Sequence, residues 1–336
     1  MSPCLAKSAD KCSLTQKSAS PNNSGSPRDF FMSAKTPHEI DFDEIVGQRR
    51  AKSILKFHLL GYKGDQIISP IIFVGPKGGG KSFMSTALAR RLKRRDSIAP
   101  KIFVEINCSV LKDFPHFVGS IVFPHVINND VTLFFDEASE LPHDVTMALL
   151  TILNPNDENK NSLMFNGNRL EFDLRRVSWI FATSEIQKVF SPLVDRLERL
   201  DLEEYDLNEL AMIVVRNTKS ITIEDKTLHN VALVLRGNPR AAQKMATKIK
   251  QYCTFNKTEI FDGNHWSDLI KMLQILPMGL SPIELSILTV LKSRSECSLT
   301  QLSAKTGMSR ESLQKEIEVY LLKNDLIEIR QRGRAI

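Results

Sequence analysis

No stretch of this sequence approaches the ~20 consecutive apolar residues that a membrane-crossing helix requires. The longest candidate, 67–74, is interrupted by Ser69-Pro70, so no membrane partner is expected. Cysteine is equally sparse. Its five copies, Cys4, Cys12, Cys108, Cys253 and Cys297, are odd in number, scattered, and lack zinc-type spacing or neighbouring histidines. This argues against a disulfide framework and for a reducing, cytoplasmic compartment. Charge of one sign is also in short supply: the formal excess is only +6, with a pI near 9.0. A polyanionic partner is compatible with this balance, and so is an ordinary solvated surface. Residues 1–36 are rich in Ser, Pro, Asn and Lys and lack aliphatic periodicity, so they are expected to form a disordered tail. The tail has no apolar core of secretory type. A basic, Ser-rich transit peptide and a start at Met32 are the alternatives.

What the sequence does hold is an apolar β-branched run, Ile71-Ile72-Phe73-Val74, breaking into Gly75-Pro76-Lys77-Gly78-Gly79-Gly80-Lys81-Ser82. The pattern Gly75-x-x-x-x-Gly80-Lys81-Ser82 is that of a phosphate-binding loop. Glycines let backbone N–H groups curl around an anion, and a helix expected from Phe83 to Leu92 would aim its N-terminus at it. Lys81 would reach the β/γ-phosphates and Ser82 would ligate Mg²⁺. The chain from Gly75 through Gly78, Gly79, Gly80, Lys81 and Ser82 to Phe83 would thus wrap ATP. A plain tight turn is the competing reading.

A second strand is expected at 102–106, and a third, Val131-Thr132-Leu133-Phe134-Phe135, ends in Asp136-Glu137. Paired carboxylates at the edge of a buried strand suit Mg²⁺ binding by Asp136 and polarisation of the attacking water by Glu137. A fourth strand, 177–182, ends in Thr183-Ser184. Strands alternating with helical stretches imply an α/β domain with a mostly parallel sheet and a ligand at its C-terminal edge.

Further along, Ser309 and Gly307 punctuate two helices at 299–305 and 309–322 as a helix-turn-helix. A winged hairpin should follow, whose Arg330, Arg332 and Arg334 would meet DNA phosphates. No aromatics interleave with these arginines, so sequence-independent backbone contact is expected rather than base stacking. Protein docking is the alternative use of such a module.

These motifs, with Phe42-Asp43-Glu44-Ile45-Val46-Gly47-Gln48 ahead of a helix at 49–60, resemble AAA+ ATPases. The resemblance implies that Ile45 and Val46 lie against adenine and that Ser184 is the sensor 1 residue. It also implies that Arg196 reaches the γ-phosphate of a neighbouring subunit and that Arg240 is the sensor 2 arginine. Ser191-Pro192-Leu193-Val194-Asp195-Arg196, Arg236-Gly237-Asn238-Pro239-Arg240 and the closing Arg332-Gly333-Arg334 resemble, more narrowly, the RuvB family. From that resemblance, residues 37–202 would be the large AAA+ domain with its P-loop, 203–276 a small α-helical lid, and 277–336 a winged-helix domain, with Tyr205 lining the adenine pocket. It implies a hexameric homo-oligomer that migrates four-way-junction or double-stranded DNA with a RuvA-like junction-binding partner. The sequence departs from that family in three places. The hairpin at 163–172, turning at Asn166-Gly167, has a shorter tip than the RuvA-docking hairpin. Only Pro37 and His38 stand near the usual Arg-Pro pair, and Glu140 to His143 lacks the basic residues that the family carries after the acid pair. The rival readings are a clamp-loader-like or initiator-like ATP switch that does not translocate, and a non-enzymatic DNA-binding adaptor.

Overall fold

Ile71, Ile72, Phe73 and Val74 are all buried, so β1 (Ile71–Val74) must be covered on both faces, as an inner strand of a parallel sheet is. The structure, a computed structural model, describes residues 41–336 apart from Asp96 and Ser295. The readings of the 1–36 tail, Met32, Pro37 and His38 therefore lie outside the described residues.

After β1 come β2 (Ile102–Asn107), β3 (Val131–Asp136), the antiparallel hairpin β4 (Lys160–Phe165) and β5 (Asn168–Asp173), β6 (Val177–Thr183) and β7 (Glu198–Asp201). The main sheet has the order β2-β3-β6-β1-β7, and every pairing in it is parallel. Period-two alternation sorts the strand side chains into two cores. Ile72, Leu133, Phe135, Trp179 and Phe181 face one side, where Phe135 stacks on Phe181 with centroids 4.8 Å apart. Ile71, Phe73, Phe134, Ile180 and Leu200 face the other. Helices α1 (Arg49–Leu59) and α2 (Lys81–Ala89) cover the second side through Leu55 and Leu88. The first side is covered by α3 (Phe114–Phe117), a π-wound continuation over Val118–Val126, and α4 (His143–Ile152).

Three of these features differ from the sequence expectation. Helix α2 stops at Ala89 rather than Leu92, because Lys93 pairs as a bridge with Pro100 and pulls the chain away. Strand β7 was not expected, since Glu198-Arg199-Leu200-Asp201 has a single apolar residue. It forms because Leu200 fills the core while Glu198 N–H donates to Pro70 O (2.7 Å) and Leu202 N–H to Val74 O (2.7 Å). The π-wound segment, with Pro124 inside it, carries no helical period legible beforehand.

Following α5 (Ser191–Val194), the chain builds a helical layer from α6 (Leu207–Asn217), α7 (Asp225–Leu233), α8 (Pro239–Asn256) and α9 (Gly263–Leu273), with a two-residue parallel pair of β8 (Thr222–Ile223) and β9 (Ile260–Phe261). Helix α8, at 18 residues, is longer than the short helices expected here. Leu210, Val214, Val231, Ala246, Ile249 and Trp266 form a separate core. A further core of Ile287, Leu291, Leu302, Leu313, Leu321 and Ile327 holds together α10 (Pro282–Ser293), α11 (Leu299–Thr306), α12 (Arg310–Ser312), a π-wound stretch Leu313–Glu318 and α13 (Val319–Lys323). The hairpin β10 (Glu328–Arg330) with β11 (Gly333–Ala335) closes the chain. Ser309 caps α12 through Ser312 N–H, as the helix-turn-helix reading requires.

Buried charge ties these layers together. Glu284, 1% exposed, accepts from Nη1 and Nη2 of Arg236 (3.1 and 2.9 Å), and the Arg236 guanidinium lies 3.5 Å from the centroid of the Tyr320 ring. The turn before α8 is thereby fastened to α10 and α13. At the base of the β4–β5 hairpin, buried Lys101 donates to Arg175 O (2.8 Å) and Ser178 Oγ (3.0 Å). Burial pushes its ammonium from 10.5 down to about 8, against the attraction of Asp130 and Asp173. Between those values the unfolded chain holds a proton that the folded chain has released, so the contribution of Lys101 to stability should rise with pH across that window and be lost as pH falls through about 8. Denaturation midpoints of wild type and Lys101→Met should shift in favour of wild type as pH rises from 8 to 10; a constant difference would contradict the assignment.

Candidate nucleotide-binding site

A cleft of about 690 Å³ opens at the C-terminal edge of the sheet, between the glycine loop and helices α6 and α8. Gly78 and Gly80 take φ values of +79° and +94°, which L side chains rarely adopt. Residue 80 is the N-cap of α2, so the helix begins where the loop ends. Lys81 Nζ rests on the carbonyls of Gly75 (2.8 Å) and Pro76 (3.0 Å). Burial lowers its pKa, opposed by Asp136 and Glu137 and assisted by Arg240, which places these charges around one ammonium.

Strand pairing explains the next contact. β3 and β1 both flank β6 in parallel register, so their C-terminal ends open onto the same edge. Ser82 Oγ lies 3.4 Å from Asp136 Oδ2, which sets a hydroxyl and a carboxylate side by side. Hard oxygens so paired suit an ion that keeps most of its ligands from phosphate and water. Among the described residues no cluster of three or more His, Cys, Asp or Glu side chains forms a self-sufficient metal cage. Glu137 is exposed on the cleft wall, in a left-handed backbone conformation (φ 55°) that turns it off the strand.

At the end of β6, Thr183 is buried and its Oγ1 accepts from Glu185 N–H (3.0 Å). Ser184, one residue on, lines the cleft without such a bond. Ile45 and Val46 line it from the opposite wall. Ile45 packs into the core beneath the sheet and Val46 into the helical-layer core, so adjacent residues join the two layers. Tyr205 and Phe83 complete the apolar surface, and Arg240 stands at its rim. Gly75 and Arg196 are not among the lining residues. Gly75 N–H bonds Thr183 O (3.3 Å), and Arg196 lies behind α5, donating to Pro192 O (2.8 Å) and reaching Asn154 Oδ1 (3.4 Å). It pairs with neither Asp195 nor Glu198; Glu198 Oε2 lies 2.6 Å from His58 Nε2.

Some site residues were not singled out by sequence reasoning. Ile213, Asn217 and Gln243 enter from α6 and α8, and nothing in their own sequence marks them. Gln48, 2% exposed and left-handed (φ 53°), clamps residue 203 from both sides: Nε2 donates to Glu203 O (2.7 Å) and Oε1 accepts from Glu203 N–H (2.8 Å). The signal available was a glutamine at a helix N-cap, where Ser, Thr, Asp or Asn is preferred.

In the C-terminal hairpin, Arg330 is paired with Glu328 and Arg334 is held bidentately by Glu318 (2.7 and 2.9 Å) with 13% of its side chain exposed. Of the arginines expected to meet DNA, Arg334 is thus a structural tie between wing and helix. Arg332 is exposed, and the described residues give its side chain no partner.

A five-stranded parallel sheet, a glycine loop capping a helix, paired carboxylates on the adjoining strand and a helical layer over the cleft define a AAA-type nucleotide-binding protein. Residues 71–205 match the model of the ATPase family associated with various cellular activities (AAA), and residues 277–336 match that of the RuvB C-terminal winged helix domain. The chain thus carries a AAA domain followed by a C-terminal winged helix domain of the RuvB type. Among its relatives, the RuvB subunit of the Holliday junction branch migration complex of Mycoplasmopsis pulmonis is 24% identical over 307 residues, spanning 88% of this chain and 93% of that protein. The RuvB subunit of Campylobacter hominis is 25% identical over 306 residues, spanning 88% and 86%. The solved Thermotoga maritima RuvB Holliday junction branch migration motor shares the fold with a TM-score of 0.69 at 22% identity, covering 88% of this chain and 94% of that one. No helix of the described residues is long and apolar enough to cross a membrane.

Proposed function

We propose that this chain is an ATP-hydrolysing, ring-forming DNA motor that drives branch migration of four-way junctions in the cytoplasm, in DNA recombination and repair. The observation that carries the reading is a division of labour: one chain supplies Lys81, Ser82, Asp136 and Glu137 to the cleft, while Arg196 lies outside it. An arginine so placed can complete the site of another copy, which calls for a homo-oligomer. A hexamer is the ring size we infer from the family.

In this reading, residues 37–202 form the large ATPase domain, 203–276 the lid and 277–336 the winged-helix domain, in keeping with the separate cores. Ile45, Val46 and Tyr205 cover the adenine, and Gly75, Gly78, Gly79, Gly80 and Phe83 shape the triphosphate seat. Ser82 and Asp136 hold Mg²⁺, which when bound neutralises developing phosphate charge. Glu137 orients the attacking water, Ser184 steadies it, and Lys81 and Arg240 bind the phosphate oxygens. Lid movement would reach DNA through the Arg236–Glu284–Tyr320 tie.

Synthetic four-way DNA incubated with the protein and ATP should be dissociated, with a RuvA-type protein enhancing the reaction. ATP-dependent DNA binding without junction movement would point to a loader-type switch instead. The DNA-facing hairpin separates structural from contacting arginines. Arg332→Ala should weaken DNA binding and reduce the salt slope by about one. Arg334→Ala leaves buried Glu318 unpaired and should lower thermal stability by about 3 kcal/mol. The opposite assignment of the two effects would refute this division.

A further inference from the structure

We propose that Asn238 is a positioning residue for Arg240: its carboxamide seats the first turn of α8 on the phosphate loop at Gly78 and thereby sets how far Arg240 reaches over the triphosphate. The inference rests on the nucleotide reading of the cleft and adds a residue to it.

Two sets of contacts made by one side chain carry the proposal. Asn238 Oδ1 accepts from the N–H of Arg240 (2.9 Å) and of Ala241 (3.2 Å), fixing the backbone of the arginine itself. The same carboxamide lies flat against the loop. A Cβ placed on Gly78 would fall 2.7 Å from Asn238 Oδ1 and 3.0 Å from Nδ2. Residue 78 therefore must be glycine for two reasons, its left-handed φ of +79° and the approach of this side chain. Nδ2 donates to none of the described residues, so the loop-facing end of the amide is not consumed by the cap.

Between the carboxamide and Arg240 stands only Pro239, which is buried and whose ring fixes φ. A shift of the carboxamide on the loop is therefore passed to Arg240 with little slack. On the other side the turn is equally constrained. Arg236 and Gly237 are both left-handed (φ 56° and 67°), and Arg236 is held by Glu284 and Tyr320. Asn238 is thus the loop-side end of a stiff connection running from the phosphate loop to the winged-helix core.

The test separates capping from positioning. Asn238→Ser keeps an N-cap oxygen and withdraws the carboxamide from Gly78. Its melting temperature should stay close to wild type, its KM for ATP should change less than about threefold, and its kcat should fall about tenfold. Asn238→Asp keeps both shape and cap but sets a carboxylate beside the phosphates. It should raise the Kd for ATP about tenfold at low salt, with much of the loss recovered at high salt. A normal kcat in Asn238→Ser, or an unchanged ATP affinity in Asn238→Asp, overturns the proposal while leaving the nucleotide reading standing. Failure of the wild-type chain to bind ATP overturns both.

Discussion

Glu137→Gln should bind ATP as tightly as wild type and turn it over about a thousandfold more slowly. The substitution keeps the size of the side chain and its hydrogen-bonding reach, and removes only the ability to draw a proton from water. Its surroundings predict little structural cost. The side chain is exposed on the cleft wall, and the hydrogen bonds at this residue are made by its backbone, from its N–H to Asp136 Oδ1 (3.1 Å) and from Glu140 N–H to its carbonyl (2.8 Å). The seat for the phosphates, from Gly78 to Ser82, does not depend on it. Equilibrium binding of a fluorescent ATP analogue together with steady-state phosphate release would check both halves. Normal turnover would remove Glu137 from the mechanism, and lost binding would move its role from water activation to nucleotide retention.

Arg196→Ala should abolish turnover to a comparable or greater degree, about 10³-fold or more, with the loss acting across a subunit boundary. The guanidinium is only partly satisfied where it stands: Nη1 donates to Pro192 O, Nη2 has a long contact to Asn154 Oδ1, and Nε is buried without a partner. Unspent donors on a planar fork are what a developing phosphate charge requires, and a lysine there would not reproduce the fork. Mixed rings of wild-type and Arg196→Ala chains should lose activity faster than the fraction of variant chains. Turnover per chain in wild type should also rise with protein concentration as rings assemble. Full activity of the variant, or a strictly proportional loss in mixtures, would sink the assignment between subunits.

The parts of the site built from contiguous residues were legible beforehand. Gly75 to Ser82 shows its strand, loop and helix start in its own composition. Asp136-Glu137 after an apolar run shows both the strand and the edge at which it ends. Asn166-Gly167 takes φ values of 49° and 77°, as the hairpin turn demanded. Local chemistry dictates local backbone in each case, so a short window suffices. The arginines at 330–334 show the limit of such a window. They read alike as a basic cluster, yet Glu318, sixteen residues from Arg334, removes one of them from the surface.

Taken alone, the sequence determined that this chain has a phosphate loop, an acid pair on a parallel sheet and a winged C-terminus, because each is written in the period and spacing of neighbouring residues. Tertiary structure alone decided that β7 exists, that Gln48 clamps the backbone of Glu203, that Asn238 lies on Gly78 and that Arg196 stands apart from the cleft of its own chain. Those outcomes depend on contacts between residues far apart in the chain. Glu198 pairs with Pro70, Gln48 with Glu203 across 155 positions, and α8 returns over a loop formed long before it. No propensity or pattern within a segment specifies which distant backbone will arrive beside it; burial of the shared cores does.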